Sequence, residues 1–261
     1  MLGSGGPTHR LLEKDLDFIV RTVADRRSDP ERVKEIVRDK DDLIEIMLND
    51  PKLLTRIRER EEELLVISPY LLFNLLLRQV RRRLKDRPYT LERRGRERVA
   101  VFDAGRVAEV LSDSFYLEYV AETLASFTRV QTGVVFYRAG EQWKQFRFNS
   151  LEVDDLIFLA GLLPREERFP VYRRLGDLCL FLVGIFPDYR ASRARSRLAS
   201  ADYHWLGPQY YSLAAEHSQA ESLGLTERLQ GLAKNFALLV KALNFLAEEY
   251  IGSRREQWFV G

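Results

Sequence analysis

Two arginine runs and one isolated acid carry most of the chemistry this sequence could do. Between residues 78 and 98, ten basic side chains (Arg78, Arg81, Arg82, Arg83, Lys85, Arg87, Arg93, Arg94, Arg96 and Arg98) stand against three acidic ones (Asp86, Glu92 and Glu97), a local balance of +7. Residues 190–197 add Arg190, Arg193, Arg195 and Arg197 with no acid among them. Guanidinium forks match phosphate oxygens in pairs, and several converging on one surface would bind a nucleic acid backbone with strong salt dependence. The alternative is a solvated face neutralised by residues 41–63, which hold eight acids and four bases. Only Tyr89 lies among the cations of the first run, so an interleaved stacking surface is not expected there.

The isolated acid is Asp177, the one acid in the stretch 170–187, at the edge of its apolar run. A buried carboxylate needs a partner or a proton. Arg173 and Arg174, one helical turn earlier, are the nearest partners. A second reading makes Asp177 part of a ligand pocket with Tyr203, His204 and Tyr211, in a region also holding Asp202, Tyr210, Glu216 and His217.

Several chemistries are unsupported. No glycine-rich phosphate loop, HExxH or Glu-x-x-His pair occurs. Cys179 is the only cysteine, so no disulfide can form within the chain, and its apolar setting predicts an inert buried thiol. No metal and no cofactor are expected, and the balance leans away from an enzyme. Net charge over 261 residues is only +2, so any acidic partner must be met by local clustering. The longest apolar segment, 64–77, is broken by Ser68, Pro69 and Asn74, and no stretch reaches the roughly 18 apolar residues of a membrane span. A cytoplasmic protein with no membrane partner is expected.

The elements that must position these groups are mostly helical. Asp29-Pro30, Asp50-Pro51 and Ser68-Pro69 each set an acceptor at an N-cap before a proline at the first helical position. Residues 69–87 read as a helix with an apolar first half and an arginine-rich second half. Residues 88–98 read as a polar connection. Asp103 is placed to cap a helix carrying Val107, Ala108 and Leu111, and a second helix runs to about 129. Residues 134–148 then alternate at period two, and Ala139-Gly140 divides them into a β-hairpin, the only strand pair expected. Asn149 and Glu152 form a capping box for a helix through Leu163. Within residues 170–187 the run from Leu178 to Phe186 is almost wholly apolar, with Gly184 the only gap, and predicts a central helix buried on every side. Residues 188–200 read as a loop or surface helix, and residues 203–220 as a helix. Leu225, Leu229, Leu232, Phe236, Leu239, Leu243, Leu246 and Tyr250 repeat at alternating spacings of four and three, a seam that either packs on the central helix or joins two copies of the chain.

The fold expected is therefore mostly α, a helical bundle around the buried helix 170–187, with one hairpin at 134–148. A division into residues 1–150 and 151–261 is plausible from the change of character near 150–165. Residues 104–148 give helix, short break, helix, hairpin, an order that resembles the second half of a winged-helix domain. RVAEVL matches the first helix, FYLEYVAETLASFTRV the recognition helix and VVFYRAGEQWKQFRF the wing. The resemblance implies DNA or protein contact through this segment. Glu118 and Glu122, expected on the outward side of the second helix, would repel phosphates, which leaves Arg138, Lys144 and Arg147 of the wing as phosphate contacts.

The leading expectation is a non-catalytic regulatory or adaptor protein that binds an acidic partner, nucleic acid or an acidic protein, through its arginine-rich face. The alternatives are a protein-interaction module or homodimer using 225–250, and a helical ligand-binding protein or enzyme near Asp177 and His204.

Overall fold

A computed structural model describes residues 10–25, 29–60, 62–94, 97–129, 132–187, 200–252 and 259; for residues 92–94, 97, 98, 200 and 201 it describes the backbone alone. Among these, thirteen α-helices and two antiparallel hairpins follow in the order α1 (Glu13–Val23), α2 (Pro30–Arg38), α3 (Asp41–Leu48), α4 (Pro51–Glu59), α5 (Glu63–Val66), α6 (Pro69–Lys85), β1 (Thr90–Arg94), β2 (Glu97–Val101), α7 (Ala104–Val110), α8 (Ser114–Ser126), β3 (Thr132–Ala139), β4 (Gln142–Asn149), α9 (Val153–Leu162), α10 (Phe169–Ile185), α11 (Ser200–Ala215), α12 (Ser218–Ser222) and α13 (Thr226–Leu246). A π-helical turn, Ala247–Ile251, continues α13.

The proline caps form as the sequence dictates. Asp29 accepts the Arg32 N–H at 3.1 Å, Asp50 the Lys52 N–H at 2.8 Å and Ser68 the Leu71 N–H at 3.1 Å. Buried Asp15 joins two helix starts: one carboxylate oxygen accepts the Leu12 N–H at 2.9 Å, the other the Ser68 N–H at 2.7 Å. The first turn of α1 is thereby tied to the cap of α6.

The central helix is α10. Every residue from Leu175 to Ile185 is buried, as a helix apolar on all sides must be. It packs against α9, α11, α13 and α8. Glycines permit the close approach. A Cβ on Gly176 would lie 2.7 Å from the Tyr211 ring of α11, and one on Gly184 would lie 2.6 Å from Leu243 of α13. The heptad seam of α13 is buried from Leu225 to Leu246 within the chain itself, against α10, α11, α7 and α6. It is thus not a free surface for a second copy. The apolar core is continuous from Leu11 to Phe259.

Four local expectations are corrected. Residues 90–101, overlapping the stretch 88–98 read as polar and arginine-rich with no strand, form an additional hairpin, β1–β2, with Thr90 opposite Val101 and Leu91 opposite Ala100. Residues 92–98 read ERRGRER, with charge at successive positions, so the sequence lacks the period-two alternation that marks a strand. Asp103 occupies the N-cap of α7 without capping it. Its carboxylate takes the Thr90 hydroxyl at 2.5 Å and the Lys241 ammonium instead, joining β1 to α13. The helix after the β3–β4 hairpin starts at Val153, and Asn149 accepts the Leu151 N–H at 2.9 Å while Asp155 accepts the Asn149 N–H at 2.9 Å. The helix expected over 203–220 stops at Ala215, where His217 caps the separate α12 by accepting the Gln219 N–H at 3.1 Å.

Candidate functional site

The β3–β4 ribbon is built by alternation. Eight residues pair with eight, from Thr132 opposite Asn149 to Ala139 opposite Gln142. Gly140 takes φ +64° at the first of two loop positions, where a tight hairpin of the II′ kind places glycine. The inner face lies on α9: the Tyr137 and Phe146 rings meet the Phe158 ring at 5.9 and 4.6 Å between centroids. The Phe148 ring covers Gly133, directly opposite, so closely that a Cβ there would sit 2.5 Å from it.

Beyond the Thr132–Asn149 pair, the outer face carries Val134, Phe136 and Arg138 on β3 and, opposite them, Arg147, Gln145 and Trp143 on β4. All six are exposed. Phe136 is 65% and Trp143 73% accessible, and no carboxylate lies on this face. The Arg138 Nε–H is donated to the Gly140 carbonyl at 3.1 Å, which steadies the guanidinium beside the turn. Of the three cations expected on this hairpin, Arg138 and Arg147 therefore share the outer face. Lys144, opposite Tyr137, has inner-face parity although it too is exposed.

The cations of α6 have a different setting. Arg78 is 2% exposed. Its two terminal nitrogens grip Glu45 of α3 at 2.6 Å each, and its Nε–H is donated to Asn74 at 2.7 Å. Burial alone would raise the Glu45 carboxyl, but the hydrogen bonds and charge of Arg78 outweigh it and hold the carboxyl below its ordinary value. Arg81 donates to the Asn49 side chain at 3.0 Å, and Arg82 donates to the Asn49 carbonyl. Arg83 meets Glu249 of the π-helical turn at 2.5 Å. These side chains clamp α3 and the end of the chain onto α6. Arg78 in particular is closed to a phosphate, contrary to the surface role expected from its neighbours. Lys85 is exposed. Arg93 and Arg94 lie on β1, but their side chains, together with the whole of Arg96, Arg193, Arg195 and Arg197, lie outside the described residues.

α8 is a core helix. Leu117 to Ala121, Thr123 and Leu124 are buried, and Glu118, expected on the outward side, is buried in an ion pair with Arg10. Arg10 also lies 3.4 Å from Glu122. The alternation of apolar and charged positions misleads here because Arg10, more than a hundred residues away, supplies the charge that lets a carboxylate turn inward.

Asp177 finds its partners on neighbouring helices. One oxygen, Oδ1, accepts the hydroxyls of Tyr119 (α8) at 2.7 Å and Tyr211 (α11) at 2.8 Å. Burial raises its carboxyl above the ordinary value, against the opposing charges of Arg173 and Arg174 and the two tyrosine bonds. Burial beside this acid likewise pushes both phenols well above their usual range. Arg174 is drawn away, stacked 3.7 Å over the Phe127 ring and bonded to Ser126 at 2.7 Å. A cleft of about 100 Å³ opens beside the group, lined by Tyr119, Glu122, Thr123, Ser126, Arg173, Arg174 and Asp177. Tyr211 thus joins Asp177 as expected. Tyr203 is buried without lining the cleft, and His204 is exposed and outside it. Tyr119 was not among the residues expected here, because no local spacing links positions 58 apart. The group ties α8, α10 and α11 together. Burial pushes the Cys179 thiol up to about 12, the state of an unreactive core cysteine.

Among the described residues no cluster of three or more histidine, cysteine or carboxylate side chains is placed to hold a metal ion, and no helix is long and apolar enough to cross a membrane. Comparison with protein-family models, with curated proteins and with solved structures finds no match to this chain.

Proposed function

We propose that this protein binds nucleic acid through the outer face of the β3–β4 ribbon. The observation that carries the reading is the pair Arg138 and Arg147, exposed on one face that holds no acid, while Arg78, Arg81, Arg82 and Arg83 are engaged in holding helices together. Exposed guanidinium groups on the ribbon reach phosphates without unfolding anything else, and phosphate contacts supply most non-specific affinity. The helix–helix–hairpin order of α7, α8 and the ribbon supports a winged-helix-like module in which the wing makes the contact and the second helix stays in the core. Lys85 and the basic β1–β2 hairpin are further candidates for the same acidic partner. The role is one of binding, as in a regulator or adaptor, and it uses no side chain of the Asp177 group.

Fluorescence anisotropy with labelled DNA and RNA across a salt series tests this. Binding is expected at low salt, weakening linearly on a logarithmic salt axis, with the R138A/R147A double variant losing at least tenfold in affinity. Absence of binding to any nucleic acid at low salt contradicts the reading.

A further inference from the structure

We infer that the ribbon prefers single strands, taking one unstacked base on each of Phe136 and Trp143. This rests on the nucleic-acid reading above and names the form of nucleic acid bound. The observation is the pair of rings themselves. The inner face of the ribbon also carries aromatic residues, but Phe158 of α9 covers them. On the outer face Phe136 and Trp143 stand 65% and 73% exposed, and among the described residues no packing accounts for their size. Large aromatics left in water mark a contact surface.

Their arrangement fits a strand of nucleotides. Beyond the Thr132–Asn149 pair at its base, the outer face has three rows: Val134 with Arg147, Phe136 with Gln145, and Arg138 with Trp143. Phe136 and Trp143 are diagonal neighbours, so about 7–8 Å separates their attachment points. That is roughly twice the 3.4 Å step between stacked bases, which suits a strand whose bases are drawn apart to lie one on each ring. The arginines occupy the first and last of these three rows, about 14 Å apart by strand rise, so each meets a phosphate beside the stacked pair. Gln145, between the rings, offers both a donor and an acceptor to a base edge. A duplex presents phosphates to the arginines but keeps its base faces inside the helical stack, so it leaves both rings without a partner. Stacking accepts any base, so little sequence preference is expected.

The test uses the full chain and two probes of equal length, a labelled oligo-dT and a mixed-sequence duplex, at the same low salt. The single strand is expected to bind at least tenfold more tightly. F136A and W143A should each weaken single-strand binding about tenfold while leaving duplex binding and melting temperature unchanged. In a W205F/W258F background the remaining Trp143 emission should be quenched by oligo-dT and not by duplex. R138A/R147A should weaken both probes and lower the single-strand salt slope by about 1.4. Equal affinity for the two probes, or aromatic variants that bind oligo-dT like the parent, overturns the stacking inference and leaves the nucleic-acid reading standing. Binding to neither probe overturns the reading itself. Binding only to anionic phospholipid vesicles overturns both, since those rings would then face lipid.

Discussion

The arginines of α6 and those of the β3–β4 ribbon are one residue type in two physical states. Arg78 is enclosed, held by a bidentate carboxylate and an amide, and its removal from water is compensated only while those partners remain. Arg138 and Arg147 are solvated and lie across a ribbon from exposed aromatic rings. The density of arginine along the chain points to residues 78–98, but the availability of arginine points to the ribbon. A run of charge marks where cations are, and only the fold shows which of them are already engaged.

The largest predicted effect breaks the enclosed side of this comparison. E45A leaves Arg78 buried with no counter-charge and should cost on the order of 3 kcal/mol in unfolding free energy, seen as a lower urea midpoint, with the nucleic-acid affinity of the folded protein unchanged. A loss below about 0.5 kcal/mol would place Arg78 in water and dissolve the distinction. Next comes G176A. The added methyl meets the Tyr211 ring, and forcing it into the α10–α11 contact should cost about 1–3 kcal/mol by thermal unfolding.

A smaller effect concerns the buried acid. Asp177 keeps its proton to a higher pH when folded than the ordinary 3.8, so the folded state binds more protons across that window. Its contribution to stability is complete at acid pH and is lost as pH rises through the raised value. D177N keeps an acceptor for the Tyr119 and Tyr211 hydroxyls but cannot ionise. The stability of the parent relative to D177N should therefore fall as pH rises from the ordinary 3.8 toward neutrality. Urea titrations at both ends would show this, and a difference independent of pH would refute it. The smallest effect sharpens the exposed side: R138A/R147A should change unfolding free energy by less than about 0.5 kcal/mol, because neither side chain holds another element in place.

Features set by neighbours in sequence were legible from it. The proline caps, the buried α10, the α13 seam and the 134–148 hairpin all arise from patterns a few residues long. Features set by distant partners were not. Glu118 turns inward because of Arg10, and Asp177 is satisfied by Tyr119 and Tyr211 rather than by Arg173 and Arg174 one turn away. The β1–β2 hairpin was not legible because residues 92–98 carry charge at successive positions and so show no period-two alternation. Within the candidate site the ribbon cations were legible and the aromatic partners were not. Alternation does group Phe136 with Arg138 and separates both from Tyr137. Both faces of the ribbon are rich in aromatics, however, so parity alone cannot tell which face meets α9 and which meets water.

The central claim is that binding belongs to the ribbon and stability to the arginines of α6. Measuring oligo-dT affinity and melting temperature side by side for R138A/R147A and R82A/R83A tests it most directly. The account predicts that the ribbon variant loses at least tenfold in affinity and keeps its melting temperature, while the α6 variant melts earlier and keeps its affinity. The opposite pattern, with affinity lost in R82A/R83A and retained in R138A/R147A, would contradict it.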